Sequence, residues 1–345
     1  MHSYKAQYEE EAAYWIDQIK NLPSYQFDRS GPTHQSQLVL ESALTDSLLH
    51  QVPEAYHTQI NDLLLTALAY ALRDLNQSNV QGVTLEGHGR EAIAEGIDTT
   101  RTVGWFTSMF PVKLSLQDDI GSSIVFIKEH LRNIPSRGIG FGSFAMDEST
   151  PVTFEEMPSV SFNYLGQFDS SDDYWQVAAE NSGKAIDAAN LNPNVIDING
   201  MVFSGQLQFS IVTHLSETET SDLCDNFKHH LTSIIHHCIN KLRTSGPEFT
   251  PSDFDHVRIS AALLANIYKS AVENSNQIKH IYPANSLQQG FVYHSLAQST
   301  DDAYRVQSSI EYRRSLDVEK YIEAWELCID QYPSLRTGFN WDEEI

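Results

Sequence analysis

The sequence predicts a folded α/β protein of about two domains, and three observations carry that reading, one for each part of it. Segments of helical period alternate with segments of strand period along most of the 345 residues. Hydrophobic residues make up 41% of the chain, the ordinary share for a folded chain rather than a disordered one. The length accommodates roughly two domains of ~150 residues each.

Each element follows from its own pattern. Tyr8, Ala12, Trp15, Ile16 and Ile19 fall on one helical face, and Leu38 and Leu40 alternate as in a short strand. Asn61 is placed to cap a helix whose Leu64, Leu65, Leu68, Leu72 and Leu75 form an apolar stripe. A strand over 82–85 runs into the glycine-rich turn Glu86-Gly87-His88-Gly89. Ile120, Ile124, Ile127 and Leu131 mark a further helix, stopped by Pro135. Leu207, Phe209 and Ile211 alternate as a strand. The long helix that follows carries Leu223, Phe227, Leu231, Ile234, Ile235, Cys238 and Leu242 on one face and ends at Gly246-Pro247.

Beyond residue 244 the texture changes. Pro247, Pro251 and small polar residues mark a boundary, and residues 251–280 read as a linker with one apolar patch over 261–268. A new start at Ile281-Tyr282-Pro283 leads to a helical segment, then a strand at Val306, Ile310 and Tyr312. A helix follows with Val318, Ile322, Trp325 and Ile329 on its apolar face, and then a β-like stretch over 336–339. Sixty-five residues are few for an independent core, so 281–345 reads as the opening of a domain.

Composition excludes several functions. The formal charge of −24 argues against duplex nucleic acid and anionic membrane as partners, since both require basic surface. The longest apolar stretch, 63–72, is about half of the ~20 residues a bilayer span needs. The first residues contain no apolar signal-peptide core. Cys224, Cys238 and Cys328 are far apart and read as reduced, mostly buried thiols, which places the protein in the cytoplasm.

The chain has no GxxxxGK loop, GxSxG elbow, HExxH or zinc-type cysteine cluster. Glycines at 138, 140 and 142 lack both the GxGxxG spacing and a preceding strand. His229-His230 and His236-His237 lie on the long helix, with His230 and His237 sharing a face. No carboxylate or thiolate stands beside them at ligand spacing, so they read as a solvated face and no metal is expected. Glu86 ends a strand and is followed by glycines that admit a ligand, which suits general acid–base work. A plain surface turn explains the same residues.

Leu85-Glu86-Gly87-His88-Gly89-Arg90-Glu91 resembles the EGHGRE motif of epimerization domains in nonribosomal peptide synthetases. Further matches stand in family order. Asn61 to Ala67 (NDLLLTA) resembles the helix motif just upstream. Arg101 to Pro111 (RTVGWFTSMFP) resembles RTVGWFT…P. Ile134 to Gly142 resembles PxxGxGYG, with Phe141 in place of the tyrosine, and Phe162 to Phe168 (FNYLGQF) matches the closing motif. The resemblance extends to about residue 250. In the tail, Tyr282 to Leu296 (YPANSLQQGFVYHSL) resembles the opening motif of a condensation domain. Tyr332 to Phe339 resembles its second motif more loosely, with Tyr332-Pro333 where His-Glu is usual. Neither histidine pair continues into the HHxxxDG motif of both domain types.

The resemblance implies a two-lobed, chloramphenicol-acetyltransferase-like α/β fold. Residues 1–250 would be the later part of an epimerization domain, chiefly its C-terminal lobe, and 281–345 the start of a condensation domain. The implied reaction inverts the α-carbon of an aminoacyl or peptidyl thioester. No cofactor is bound directly, and the substrate arrives on the 4′-phosphopantetheine of a carrier protein. Glu86 would exchange the α-proton on one face of the carbon, and the HHxxxDG histidine, absent from this chain, on the other. The resemblance implies substrate-side roles for Asn163, Tyr164, His88 and Arg90, though His88 and Arg90 also suit holding the turn, and Asn163 and Tyr164 equally suit core positions. Trp105, Phe106 and Phe110 are expected to pack the lobe junction. The implied partners are the upstream carrier domain, the missing first lobe and the rest of the condensation domain. A condensation enzyme and a catalytically inactive docking fragment are the other readings.

Overall fold

The computed structural model describes residues 2–25, 27, 31–91, 96, 98–146, 152–168, 183, 190, 193–254, 259–274, 278–297, 304 and 306–340, with the side chains of 2–10 excepted. Two compact units divide the chain, residues 1–252 and 253–345.

The first unit is a six-stranded mixed sheet in the order β1-β6-β5-β4-β2-β3. Its strands are β1 (His34–Val39), β2 (Val80–Gly87), β3 (Ser108–Ser115), β4 (Val160–Gln167), β5 (Ile196–Phe203) and β6 (Gln206–Thr213). The two central pairings, β2–β4 and β4–β5, are parallel, and the outer ones are antiparallel. The helices are α1 (His2–Ile19), α2 (Ser42–His50), α3 (Ile60–Asn76), α4 (Ile120–Arg132), α5 (Phe141–Ala145) and α6 (Glu217–Thr244).

Alternation along the strands decides which face is dry. Leu38, Phe209, Ile198, Phe162, Val83 and Val112 belong to the buried core. Gly200 faces the same way, and a Cβ there would collide with the Phe209 ring; the glycine makes room for an aromatic that packs, tilted, against Phe162 and against Phe227 of α6. The expected apolar face of α6 is buried from Leu223 to Cys238, and Ser216 caps the helix by accepting the Glu219 N–H.

Three expectations need correction here. The N-cap of α3 is Gln59, not Asn61, and the Gln59 N–H donates to Asp62 Oδ2 at 2.7 Å. Every residue from Asp62 to Leu72 is buried, so α3 is a central helix rather than one with a single stripe. On α1, Trp15 is buried but Ile16 is exposed, because the helix turns ~100° between them; the Tyr8 side chain lies outside the described residues. The α1 helix covers the β3 edge through buried Gln18, whose Oε1 accepts the Lys113 N–H at 3.0 Å.

The unit does not end with α6. Glu248 N–H donates to Ala55 O, and Lys241 pairs with Glu248 at 2.7 Å. Buried Lys128 reaches Tyr56 O at 2.8 Å and Thr250 Oγ1 at 2.7 Å, and Glu129 accepts from Thr250 and Ser252. The polar residues that mark a boundary in the sequence satisfy a buried ammonium and a neighbouring carboxylate, and so fix the chain up to Ser252.

The second unit holds α7 (Ala261–Glu273), within the stretch expected as linker, then α8 (Ser286–Ala297) and α9 (Val318–Gln331). No described residue of this unit is in a strand. Residues 306–312 and 337–339 are irregular, and Arg336 closes a 3₁₀ turn, contrary to their β-like pattern. A lone strand cannot pair its backbone, and the described residues of this unit contain no sheet for it to join. The apolar face of α9 forms, but Val318, Ile322, Trp325 and Ile329 are all exposed. The YPAN and YPSLRTGF segments meet through Tyr282 Oη and Thr337 Oγ1 at 2.9 Å. Among the described residues no helix is long and apolar enough to cross a membrane.

Candidate functional site

The ends of β2 and β4 build the site. These parallel neighbours pair Leu85 with Phe162, so the next residues, Glu86 and Asn163, stand side by side on the face away from the core. The Asn163 amide donates to Glu86 Oε2 at 3.1 Å. Two segments 77 residues apart in sequence thus meet at one carboxylate oxygen. Glu86 is exposed, so the described residues do not supply the burial that proton donation by a carboxyl group would require.

Tyr164 follows Asn163 and therefore points to the opposite face. It packs half-buried against the core cluster, and burial raises its phenol above the ordinary value. The structure brings Asn163 to Glu86 but not Tyr164.

The turn after β2 is held from three sides. Gly89 has φ +63°, and a Cβ there would collide with the Phe106 carbonyl, so only glycine lets the 98–107 loop approach this closely. Arg90 donates to Thr99 O at 2.6 Å, Thr102 O at 3.0 Å and Gly104 O at 3.4 Å. His88 accepts the Arg90 N–H on Nδ1 and meets Glu91 through Nε2 at 3.0 Å. Glu91 also pairs with Arg137 at 3.5 Å. Arg90 and His88 therefore spend their polar atoms on the turn and loop, the arrangement a positioning role requires.

The aromatic residues of the loop divide. Phe110 is buried, with its ring against Gly138, while Phe106 lies under Arg90. Trp105 is 92% exposed and Val103 fully so. Ser136, Arg137 and Gly138 all have positive φ (45°, 52° and 86°), a strained turn pressed beneath Phe110 that nothing in the sequence announces.

The histidine pairs are not a uniformly solvated face. His229 and His236 are exposed, but His230 Nε2 lies 2.6 Å from Asp74 Oδ2 and its ring stacks on Tyr70. His237 Nε2 lies 2.8 Å from the Tyr56 hydroxyl. These contacts join α6 to α3 and to the residues before it, and only the fold could reveal them. Among the described residues, no group of three or more His, Cys, Asp or Glu side chains is placed to hold a metal.

Residues 2–253 match the family described as "Condensation domain". The chain belongs to the condensation-domain family. This family member is 35% identical to a protein of the linear gramicidin synthase of Brevibacillus parabrevis over 97% of its length, and 34% identical to bacitracin synthase 3 of Bacillus licheniformis over 88%. It spans only 4% and 5% of those relatives. Among solved structures, it resembles the epimerization domain from the third module of tyrocidine synthetase B, with 33% identity and a TM-score of 0.61. The match covers 68% of this chain and 57% of that domain. The mixed α/β fold is that of condensation and epimerization domains, and the chain is a condensation-type domain of nonribosomal peptide synthetases.

Proposed function

We propose that residues 1 to about 250 form the later part of an epimerization domain that inverts the α-carbon of an aminoacyl or peptidyl thioester held on a carrier's phosphopantetheine. The observation that carries the reading is the Asn163–Glu86 hydrogen bond at 3.1 Å. It orients a carboxylate at an accessible strand end, where a thioester-activated α-proton can reach it. The resemblance to the tyrocidine epimerization domain supports the same reading. Glu86 works on one face of the carbon. The group on the other face is a histidine of an HHxxxDG motif, carried by a segment outside this sequence. Closing that segment over the strand ends supplies the burial that lets Glu86 donate as well as accept. The exposed Trp105 and Val103 are the apolar surface it covers.

Residues 281–345 are the opening of the following condensation domain. Support comes from the alignment with the linear gramicidin synthase relative, which runs through the tail and covers 97% of the chain.

The name of the matching family favours a second reading, in which this segment serves peptide-bond formation. The two separate in the intact synthetase loaded with an α-deuterated thioester. Washout of deuterium with appearance of both configurations is expected. Peptide-bond formation without washout would establish the condensation reading instead.

A further inference from the structure

The ladder that places Asn163 beside Glu86 continues across the sheet. Asn163 pairs with Asn199 of β5, Asn199 with Ser210 of β6, and Ser210 with Gln37 of β1. All lie on the face away from the core, and Asn199 and Gln37 are exposed. The row is therefore Glu86, Asn163, Asn199, Ser210 and Gln37, one carboxylate followed by neutral amides and a hydroxyl. The row itself has no charge beyond Glu86, and Asp197 stands on the same face just outside it. On one side Leu165 and Val39 are exposed and Met201 partly so. On the other, Thr84 and Ser161 are buried, and the next row continues as Asp197, Val212 and Gln35, with Asp197 accepting from the Asn194 amide at 2.7 Å.

We propose that this row binds an extended, amide-bearing chain, the peptidyl part of the thioester substrate, with Asn199 as the anchor beyond Asn163. The inference rests on the epimerase reading and adds the residues that read the substrate's length. Carboxamides match peptide groups because each offers both a donor and an acceptor. Strands lie ~4.8 Å apart, so Asn163 to Ser210 spans about 10 Å, or about three residues of extended chain at ~3.4 Å each. The apolar rim suits that chain's side chains. Gln35 already donates to Ser210 Oγ at 3.0 Å, which leaves the hydroxyl proton for a ligand carbonyl.

Binding to this chain tests the proposal without requiring turnover. The probes are a non-hydrolysable N-acetyl-tripeptidyl pantetheine amide and the matching single aminoacyl pantetheine amide, titrated into ¹⁵N-labelled protein. The tripeptidyl probe is expected to shift the side-chain amides of Asn163 and Asn199, and the aminoacyl probe that of Asn163 alone. Asn199→Ala should weaken the tripeptidyl probe about fivefold and leave the aminoacyl probe unchanged. Ser210→Ala, read against the same spectrum of the folded protein, should act in the same direction. Equal affinity for the two probes, no binding of either, or an Asn199→Ala variant that binds the tripeptidyl probe as before would overturn it. The epimerase reading fails separately, by unchanged α-proton exchange when Glu86 is altered.

Discussion

The guanidinium of Arg90 lies 4.3 Å from the centroid of the Phe106 ring while donating to three carbonyls of the same loop. One side chain therefore ties the turn that presents Glu86 to the loop that follows it. Arg90→Ala should speed amide hydrogen exchange over 98–107 while changing global stability by no more than about 1 kcal/mol, because the contacts are largely at the surface. Epimerization in the synthetase should fall about tenfold through misplacement of Glu86. Arg90→Lys should restore little, since an ammonium cannot span three carbonyls as the planar fork does. Unchanged exchange in the loop would remove this positioning role.

Arg132 closes on buried Asp62 with two bonds, at 3.0 and 2.6 Å. Arg132→Ala leaves that buried carboxylate, among the described residues, with the Gln59 N–H as its remaining donor. The expected loss is about 3 kcal/mol by urea unfolding. A loss below about 1 kcal/mol would mean that water reaches Asp62 once the arginine is gone.

The Asp74–His230 contact makes stability depend on acid. Burial pushes the Asp74 carboxyl up, but the hydrogen bond and charge of His230, with help from Arg73, outweigh it and hold the carboxyl below its ordinary range. A depressed folded-state value stabilises fully above the unfolded value of ~3.9, and the gain is lost as pH falls through the folded value. The melting-temperature difference between wild type and His230→Ala should therefore be present at pH 5–6 and shrink below about pH 4. A difference that stays constant down to pH 2 would show that ring stacking on Tyr70, not the ion pair, carries the effect.

Legibility in the sequence followed physical range. The α6 helix was readable because its period of 3.6 runs through seven turns, and EGHGRE because its glycines and carboxylate sit together. The meeting of Glu86 and Asn163 needed the register of β2 against β4, which no local pattern encodes. Tyr164 illustrates the same limit: its neighbour faces the site and it does not, because strand residues alternate. The buried Lys128 gave no signal, since its partners Tyr56 and Thr250 are 72 and 122 residues away. Residues 306–312 misled in the other direction. Their alternation is strand-like, yet a strand forms only where another can pair with it.

The central claim is that Glu86 moves the α-proton. The direct measurement is deuterium exchange at the α-carbon of a carrier-bound thioester, comparing Glu86 with Glu86→Gln in the synthetase that carries this segment. The substitution keeps size and the bond to Asn163 but removes the group that exchanges protons. Exchange should fall about 10²-fold or more, with folding unaffected. Exchange at the wild-type rate would contradict the account and return Glu86 to an ordinary surface turn.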